Sequence, residues 1–428
     1  MVALALGADA SGAVRGQPPP SPMAGELERQ SGPDLAGFYR ARSWRPLWTD
    51  GGALRPEAAA VVTLLERARE DGLDPARHDP RALSRALEAP PSGGASLARA
   101  EIALSRAAAD YIVDLRTPRP GFALTVTDPA AMPPPPTART VLEQLARAPS
   151  LEEGLREARR MNPLYEQLRA SLARAAPGDQ ALIRLNLERA RPLPPNPGRR
   201  WLLVDIADAR LWLYEDGRPA GSMRVIVGKP ELPTPALAGV VRYSVLNPYW
   251  NVPPDLVRDR MAPRLASGDL AYFRAERLEA LSDWSEAPRR LDPLEIDWQA
   301  VGAGAAPPRV RQLPGPGNMM GRVKFMLPNR LGIYLHDTPD KSLFRRAQRT
   351  LSAGCVRVED PQRLADWLFG RPVDLKGSGE PEQRVDLPAP VPVYILYLTA
   401  SPSPPGVVRR ADVYGLDRGA GVRLASAG

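Results

Sequence analysis

The chain has 428 residues, enough for two or three domains of roughly 100–200 residues each and a sizeable core. Its 43% hydrophobic and 25% charged residues are those of a globular protein; the longest dense apolar stretch, Val391 to Ala400, is shorter than the ~18 residues of a membrane span, which excludes a transmembrane protein. One cysteine and two histidines exclude a disulfide framework, a cysteine-based structural zinc site and a His-rich metal centre. The net charge is +8, and of 57 basic residues only Lys229, Lys324, Lys341 and Lys376 are lysines. Without a basic run of five or more, or an RNA-binding or helix-turn-helix signature, this reads as arginine-rich coding rather than a nucleic-acid binder, though a mildly basic surface suits anionic polymers.

Met1 to Leu6 is a small apolar patch, followed by Ala8-Asp9-Ala10 and a polar, proline-rich run to Pro22. A secretory leader needs a charged n-region and ~7–15 apolar residues before an A-x-A-like site. The n-region is missing here, so residues 1–23 read as a disordered N-terminus; the alternative is a leader that starts upstream of Met1. Residues 24–177 read as helical. Pro56 to Glu70 places Ala60, Leu64, Leu65 and Ala68 on one face, and Asp71-Gly72 stops it. Ser96 to Leu115 is the longest predicted helix, ended by Pro118 and Pro120. Short helices follow over Thr137–Ala146, Leu151–Arg160 and Pro163–Ala175, and Asp179 is a candidate cap for another through Arg189.

At Pro192 the pattern changes. Trp201–Ile206, Arg210–Tyr214 and Arg218–Val227 read as strands, with Glu215-Asp216-Gly217 as a hairpin turn. Val240–Leu246 is another strand and Asp255–Leu265 a helix. Ala266 to Gly317 is irregular, an inserted loop or subdomain. Strands resume at Gly321–Leu327 and Gly332–Leu335. Ser342–Thr350 reads as a helix. Asp360-Pro361 starts another, ended by Gly370, and Pro392–Thr399 is the last strand. The fold class is α+β: helical scaffold over 24–177, mostly β domain over 178–399 with its insert at about 266–317, and a C-terminal extension over 400–428.

The β domain holds the one cysteine and one of the two histidines. A free thiol, with pKa near 8.5, is only a few per cent thiolate at neutral pH, so a catalytic cysteine needs a base or a cation beside it. His336 ends a predicted strand and Cys355 begins another extended segment; the connection between them is long enough to set the two strand ends side by side. Gly354 allows the close backbone approach an oxyanion hole needs. Arg357, two residues on, falls on the same face as Cys355, where a guanidinium favours the thiolate and grips a substrate carboxylate. The plain alternatives are a small buried thiol and a hydrogen-bonded structural histidine. Asp337, in Asp-Thr-Pro, reads as a turn residue rather than a partner of His336, and His78 reads as a loop residue.

The run Leu335-His336-Asp337-Thr338-Pro339-x-Lys341-Ser342-Leu343-Phe344, followed by Ser352-x-Gly354-Cys355-Val356-Arg357-Val358, closely resembles the signature of murein L,D-transpeptidases, the YkuD-like catalytic domain. Val323-Lys324-Phe325, Pro328-Asn329 and Asn247-Pro248-Tyr249-Trp250-Asn251-Val252-Pro253 are similar to the same family. Phe38-Tyr39 through Trp48, Glu70-Asp71-Gly72-Leu73-Asp74-Pro75 and Ile183 to Arg189 resemble the helical scaffold of its long Gram-negative branch and the segment leading out of it. The sequence departs from the pattern twice. Many members carry a second histidine where Ala353 stands. The long branch also usually has a small helical peptidoglycan-binding module, for which Arg160 to Asp179 leaves no room.

The resemblance implies that Cys355 attacks the third-residue carbonyl of a tetrapeptide stem and expels D-alanine, with His336 moving the protons. Backbone N–H groups of Gly354 and Cys355 hold the oxyanion. A second stem's amine then resolves the thioester into a 3–3 cross-link. Arg357, Trp250 and Tyr334 become candidate substrate contacts, and the insert a substrate cap. No metal or organic cofactor is implied. Carbapenem-type β-lactams become expected inhibitors, and the location becomes periplasmic, which favours a truncated leader around Ala8-Asp9-Ala10. An L,D-carboxypeptidase and a non-catalytic murein-binding scaffold protein are the alternatives.

Overall fold

The computed structural model describes residues 22–88, 93–403 and 406–419; Ala8-Asp9-Ala10 lies outside them. The chain divides into two compact units. One is built from residues up to Arg69 with Leu73–Asp114 and Pro136–Arg159; the other takes Glu70–Gly72, Leu115–Pro135 and the chain from Arg160 on. No helix among the described residues is long and apolar enough to cross a membrane.

The first unit is helical: α1 (Pro22–Gln30), α2 (Gly32–Ala41), α3 (Ala59–Glu66), α4 (Pro80–Glu88), α5 (Gly94–Arg116, its last residues passing into the other unit), α6 (Ala138–Arg147) and α7 (Leu151–Arg159). Leu35, Phe38 and Tyr39 of α2 are buried at helical spacing. Pro56–Ala58 is a 3₁₀ turn that leads into α3. Thr137 caps α6 in a reciprocal box with Thr140. His78 lies in a turn, as its sequence context implies, but it is buried, with Nε2 2.8 Å from Asp114 Oδ2.

Helices α8 (Pro163–Leu172) and α9 (Pro177–Ala190) belong to the second unit. Asn162 caps α8, its Oδ1 accepting the Tyr165 N–H at 2.9 Å. Pro177, not Asp179, opens α9, since a first-turn proline loses no hydrogen bond.

The second unit is organised by one sheet. Its strands are β1 (Thr125–Val126), β2 (Arg200–Asp205), β3 (Arg210–Glu215), β4 (Arg218–Gly228), β5 (Leu237–Leu246), then β10 (Val323–Met326), β11 (Leu335–His336), β12 (Thr350–Ser352), β13 (Val356–Val358) and β14 (Gln383–Leu396). Between β5 and β10 lie β6 (Trp250–Asn251), β7 (Leu278–Leu281), β8 (Arg290–Leu291) and β9 (Arg309–Gln312) of the insert. The order β10-β11-β13-β4-β3-β2-β14-β5 returns to its start, because β5 pairs with β14 on one edge and β10 on the other. The sheet closes around a core that includes Leu202, Val204, Leu211, Val225, Phe325, Leu335 and Val356. Asp216 and Gly217 both have positive φ and form the two-residue turn from β3 to β4, the conformation that matches strand twist.

Several predicted elements change. The insert is not irregular. Its strands form a sheet of order β8-β7-β9-β6, and helices Leu270–Ala275 and Trp298–Gly302 complete it. It has its own core of Val252, Val257, Leu265, Phe273, Trp298 and Val310. It therefore starts at Trp250 rather than Ala266; strands of two to four residues carry too little alternation to read from sequence. The helix predicted over Asp255–Leu265 is interrupted by a π turn at Val257–Met261, just before Pro263, which has no N–H to donate. The predicted helix Ser342–Thr350 is only a 3₁₀ turn, Lys341–Arg345. Beyond it the Arg349 guanidinium donates to the Asp208, Ala209 and Val225 carbonyls, and Val227 N–H donates to Arg349 O, which keeps this stretch extended along β4. Finally, β14 begins at Gln383. Its pairing to β5 breaks between Asp386 and Val391, where Pro388 and Pro390 have no N–H to give.

Candidate active site

The parallel pair β11/β13 sets Leu335 opposite Val356 and His336 opposite Arg357. Leu335 and Val356 point into the core. Side chains alternate along a strand, so Tyr334, His336, Cys355 and Arg357 share the other face. The Val356 N–H donates to Tyr334 O at 3.0 Å, which extends the pairing to the cysteine. On the far side of β11, β10 places Lys324 directly opposite His336. The result is a row across three neighbouring strands, Lys324–His336–Arg357, with the thiol beside it.

The imidazole is buried, and burial first, then the Arg357 guanidinium, push its pKa down to about 3. It is therefore neutral at physiological pH. Its Nδ1 lies 2.6 Å from the Asp337 carbonyl oxygen. A carbonyl can only accept, so the single proton sits on Nδ1 and the lone pair on Nε2. The Asp337 carboxylate is turned elsewhere, accepting from the Arg322 N–H, the Thr338 N–H and Lys341 Nζ. The aspartate thus orients the histidine through its main chain, while its side chain makes the turn expected of it. A Cβ at residue 321 would overlap the Asp337 carboxyl, which explains Gly321 there, at φ +60°.

The Cys355 thiol is half-buried and donates to Gly332 O at 3.2 Å. Burial pushes its pKa up; the Tyr334 N–H and Arg357 pull the other way without prevailing. The expected effect of Arg357 on the thiolate is thus present but outweighed by desolvation. Thiol and imidazole rest as a neutral pair with no hydrogen bond between them; such bonds often tighten only when substrate is bound. Arg357 is half-buried, makes no ion pair with a carboxylate among the described residues, although Asp340 attracts it from farther off, and its Nε is enclosed without a hydrogen bond. An enclosed donor without a partner is costly until something supplies an acceptor.

The turn before the cysteine is braced from outside. Ser352 Oγ donates to Cys355 O at 2.6 Å and accepts the Gly354 N–H at 3.2 Å. Thr234 Oγ1 donates to Gly354 O at 2.7 Å and accepts the Gly228 N–H at 2.8 Å. Tyr414 OH donates to Gly228 O at 2.6 Å and accepts the Thr234 N–H at 3.2 Å. Gly354 has φ +112°, a conformation side chains rarely adopt. Its own N–H being taken by Ser352, the Cys355 N–H, which has no partner among the described residues, is the donor open to an incoming oxygen.

Of the residues singled out from sequence, Cys355, His336, Gly354, Arg357 and Tyr334 come together. The Tyr334 phenol is pushed up by burial, then by the neighbouring thiol and Tyr243. Trp250 pairs with Gln312 across β6/β9 and packs against the insert's core. Sequence reasoning missed Lys324, Thr234, Ser352 and Tyr414 as parts of the site. Lys324 and Ser352 stand inside quoted motif stretches; Thr234 sits between two prolines; Tyr414 carries no local signal.

Residues 199–385 match the L,D-transpeptidase catalytic domain (YkuD), and residues 33–172 match the Scaffold domain. The chain thus carries an L,D-transpeptidase catalytic domain behind an N-terminal scaffold domain. A Haemophilus influenzae protein whose name provisionally makes it an L,D-transpeptidase is 29% identical over 418 residues, covering 92% of this chain and 80% of that one. Among solved structures, a cysteine-to-serine variant of an Enterococcus faecium L,D-transpeptidase is 14% identical, with 47% of this chain and 52% of that one covered and a TM-score of 0.22. Mycobacterium tuberculosis L,D-transpeptidase 3 in complex with a faropenem-derived adduct is 13% identical, with coverages of 46% and 60% and a TM-score of 0.21. The chain thus spans about half the length of these solved neighbours. The L,D-transpeptidase domain match takes in β2 to β13, the insert and every residue of the cationic row.

Proposed function

We propose that this L,D-transpeptidase works through Cys355 as nucleophile and His336 as base, on peptidoglycan stem peptides outside the cytoplasm, in the periplasm. The observation that carries the reading is the fixed tautomer of His336, which leaves Nε2 free to accept a proton on the strand next to Cys355. Because the pair is neutral at rest, thiol deprotonation accompanies attack. Sγ bonds to the third-residue carbonyl carbon while its proton passes to His336 Nε2. The Cys355 N–H receives the developing oxyanion. The C–N bond to the terminal D-alanine breaks, and the imidazolium returns the proton to the leaving amine. An amine of a second stem then attacks the thioester, gives its proton to Nε2, and the sulfur leaves, giving a 3–3 link. Arg357 supplies a cation for a substrate carboxylate, and Tyr334 a wall of the same face. The folded insert acts as a cap for large substrates.

The test is mass spectrometry of muropeptides after incubation with sacculi rich in tetrapeptide stems. Dimers linked 3–3, absent with Cys355→Ala, support the reading. Tripeptides without dimers make the acceptor water and the enzyme an L,D-carboxypeptidase. No change of any stem, from protein that also forms no carbapenem adduct, leaves a non-catalytic murein-binding scaffold.

A further inference from the structure

Lys324 is one of four lysines in a chain whose other basic residues are arginine, and it is buried. Its Nζ lies 3.3 Å from Glu382 Oε1, and the same oxygen accepts the Tyr249 N–H at 2.7 Å. Tyr249 immediately precedes β6, the first strand of the insert. The foot of the insert, the glutamate and the lysine opposite His336 therefore form one chain of contacts. Glu382 is held for this by backbone: it has φ +54°, and its N–H donates to Asn247 O at 3.0 Å. Asn247, itself at φ +49°, donates through Nδ2 to Lys376 O at 2.9 Å.

We propose that Lys324, held by Glu382, is a positioning residue for His336: its charge, fixed on the strand opposite the imidazole, adds to burial in opposing the imidazolium, and Glu382 ties that charge to the foot of the insert. This rests on His336 being the base. The groups acting on the imidazole are Arg357 from β13, Lys324 from β10 and Asp337 beside it, whose carboxylate accepts from Lys341 Nζ. Arg357 and Lys324 both oppose an imidazolium; Asp337 favours one. An arginine in place of Lys324 keeps the charge, while methionine keeps the apolar stem without it. Burial already disfavours the imidazolium, so the lysine's share is a shift of the titration rather than its origin.

The test uses the full chain and the imidazole resonances in NMR, which are simple to assign with only two histidines present. Lys324→Met should raise the titration midpoint of His336 by up to about one pH unit, as expected for loss of a like charge facing it. The acid limb of carbapenem acylation should move up by the same amount, and Lys324→Arg should restore both. Glu382→Gln keeps an oxygen for the Tyr249 N–H but removes the lysine's counter-charge, so the His336 midpoint should stay or fall. An unshifted midpoint in Lys324→Met, or a rise in Glu382→Gln, overturns the inference. If Lys324→Met does not fold, Lys324→Gln provides the same comparison. A shifted midpoint with acylation unchanged at every pH would keep the electrostatic claim and reject His336 as the base, which separates the two readings.

Discussion

Buried charge is treated in opposite ways in the helical unit and in the catalytic row. In the helical unit Glu101 lies wholly inside, and every part of it is met: Oε1 accepts the Leu47 N–H and the Tyr39 hydroxyl at 2.9 Å, and Oε2 accepts the Trp48 N–H at 2.9 Å. Ser105 closes the group by bonding both Tyr39 and Trp48. In the row beside the thiol Arg357 makes no ion pair with a carboxylate among the described residues and has an enclosed, unbonded Nε, while the thiol of Cys355 donates to a carbonyl. A matched polar cluster fixes a fold; an unmatched one is incomplete until a ligand arrives. The difference is what the proposed role of the row in holding substrate would require.

The sharpest way to break that contrast is to remove the thiol. Cys355→Ala should abolish both muropeptide transfer and carbapenem adduct formation, with a melting temperature close to wild type, because the half-exposed thiol donates only a weak S–H bond to Gly332 O. Cys355→Ser should be almost as inactive, since an alkoxide is far harder to form than a thiolate. Adduct mass on a folded Cys355→Ala protein would place the nucleophile elsewhere. His336→Gln should follow, slowing acylation by about 10²–10⁴-fold, the usual worth of a general base. Partial recovery at high pH is expected, where hydroxide replaces the base. Wild-type acylation by this variant at neutral pH would reject the dyad.

Arg357 is the next test. Arg357→Ala should lower stem transfer strongly, and Arg357→Lys should recover only part of it, because an ammonium lacks the planar, bidentate fork. Removing a half-buried cation that forms no ion pair among the described residues should also leave stability unchanged or raise it. A lower melting temperature with transfer intact per folded molecule would make Arg357 a structural residue and dissolve the contrast with Glu101.

Much of this was legible from sequence, and the reasons are physical. The site depends on an alternating pattern and on a motif with fixed spacing, so Cys355 and Arg357 could be placed on one face, and His336 at a neighbouring strand end, from sequence. Asp216-Gly217 announces its own turn. What stayed hidden depends on contacts between distant segments. Lys324 matters because β10 and β11 pair in one register, Thr234 because it reaches Gly354, and Tyr414 because a residue far along the chain returns to β4. The insert was misread for the opposite reason: its strands are too short to show a period, although together they enclose a core.

The smallest expected effect lies on the matched side of the comparison. Glu101→Gln replaces one acceptor oxygen by an amide NH2, so one of the donors at Tyr39, Leu47 and Trp48 loses its partner inside the protein. That should cost about 1–3 kcal/mol of folding stability, the usual penalty for one buried unsatisfied group. The sign of its pH dependence follows from the direction of the shift. Burial raises the Glu101 pKa above its ordinary value, and the surrounding donors lower it without prevailing. The unfolded chain then ionises first as pH rises, so the wild type gives up part of this group's contribution from the ordinary glutamate range up to the raised pKa. Glutamine does not titrate. The stability gap between wild type and Glu101→Gln, measured by denaturant unfolding, should therefore be widest in acid and narrow as the pH is raised to neutrality. A gap that widened instead would mean that the folded protein stabilises the charged carboxylate, and that this cluster, too, is built around an ion.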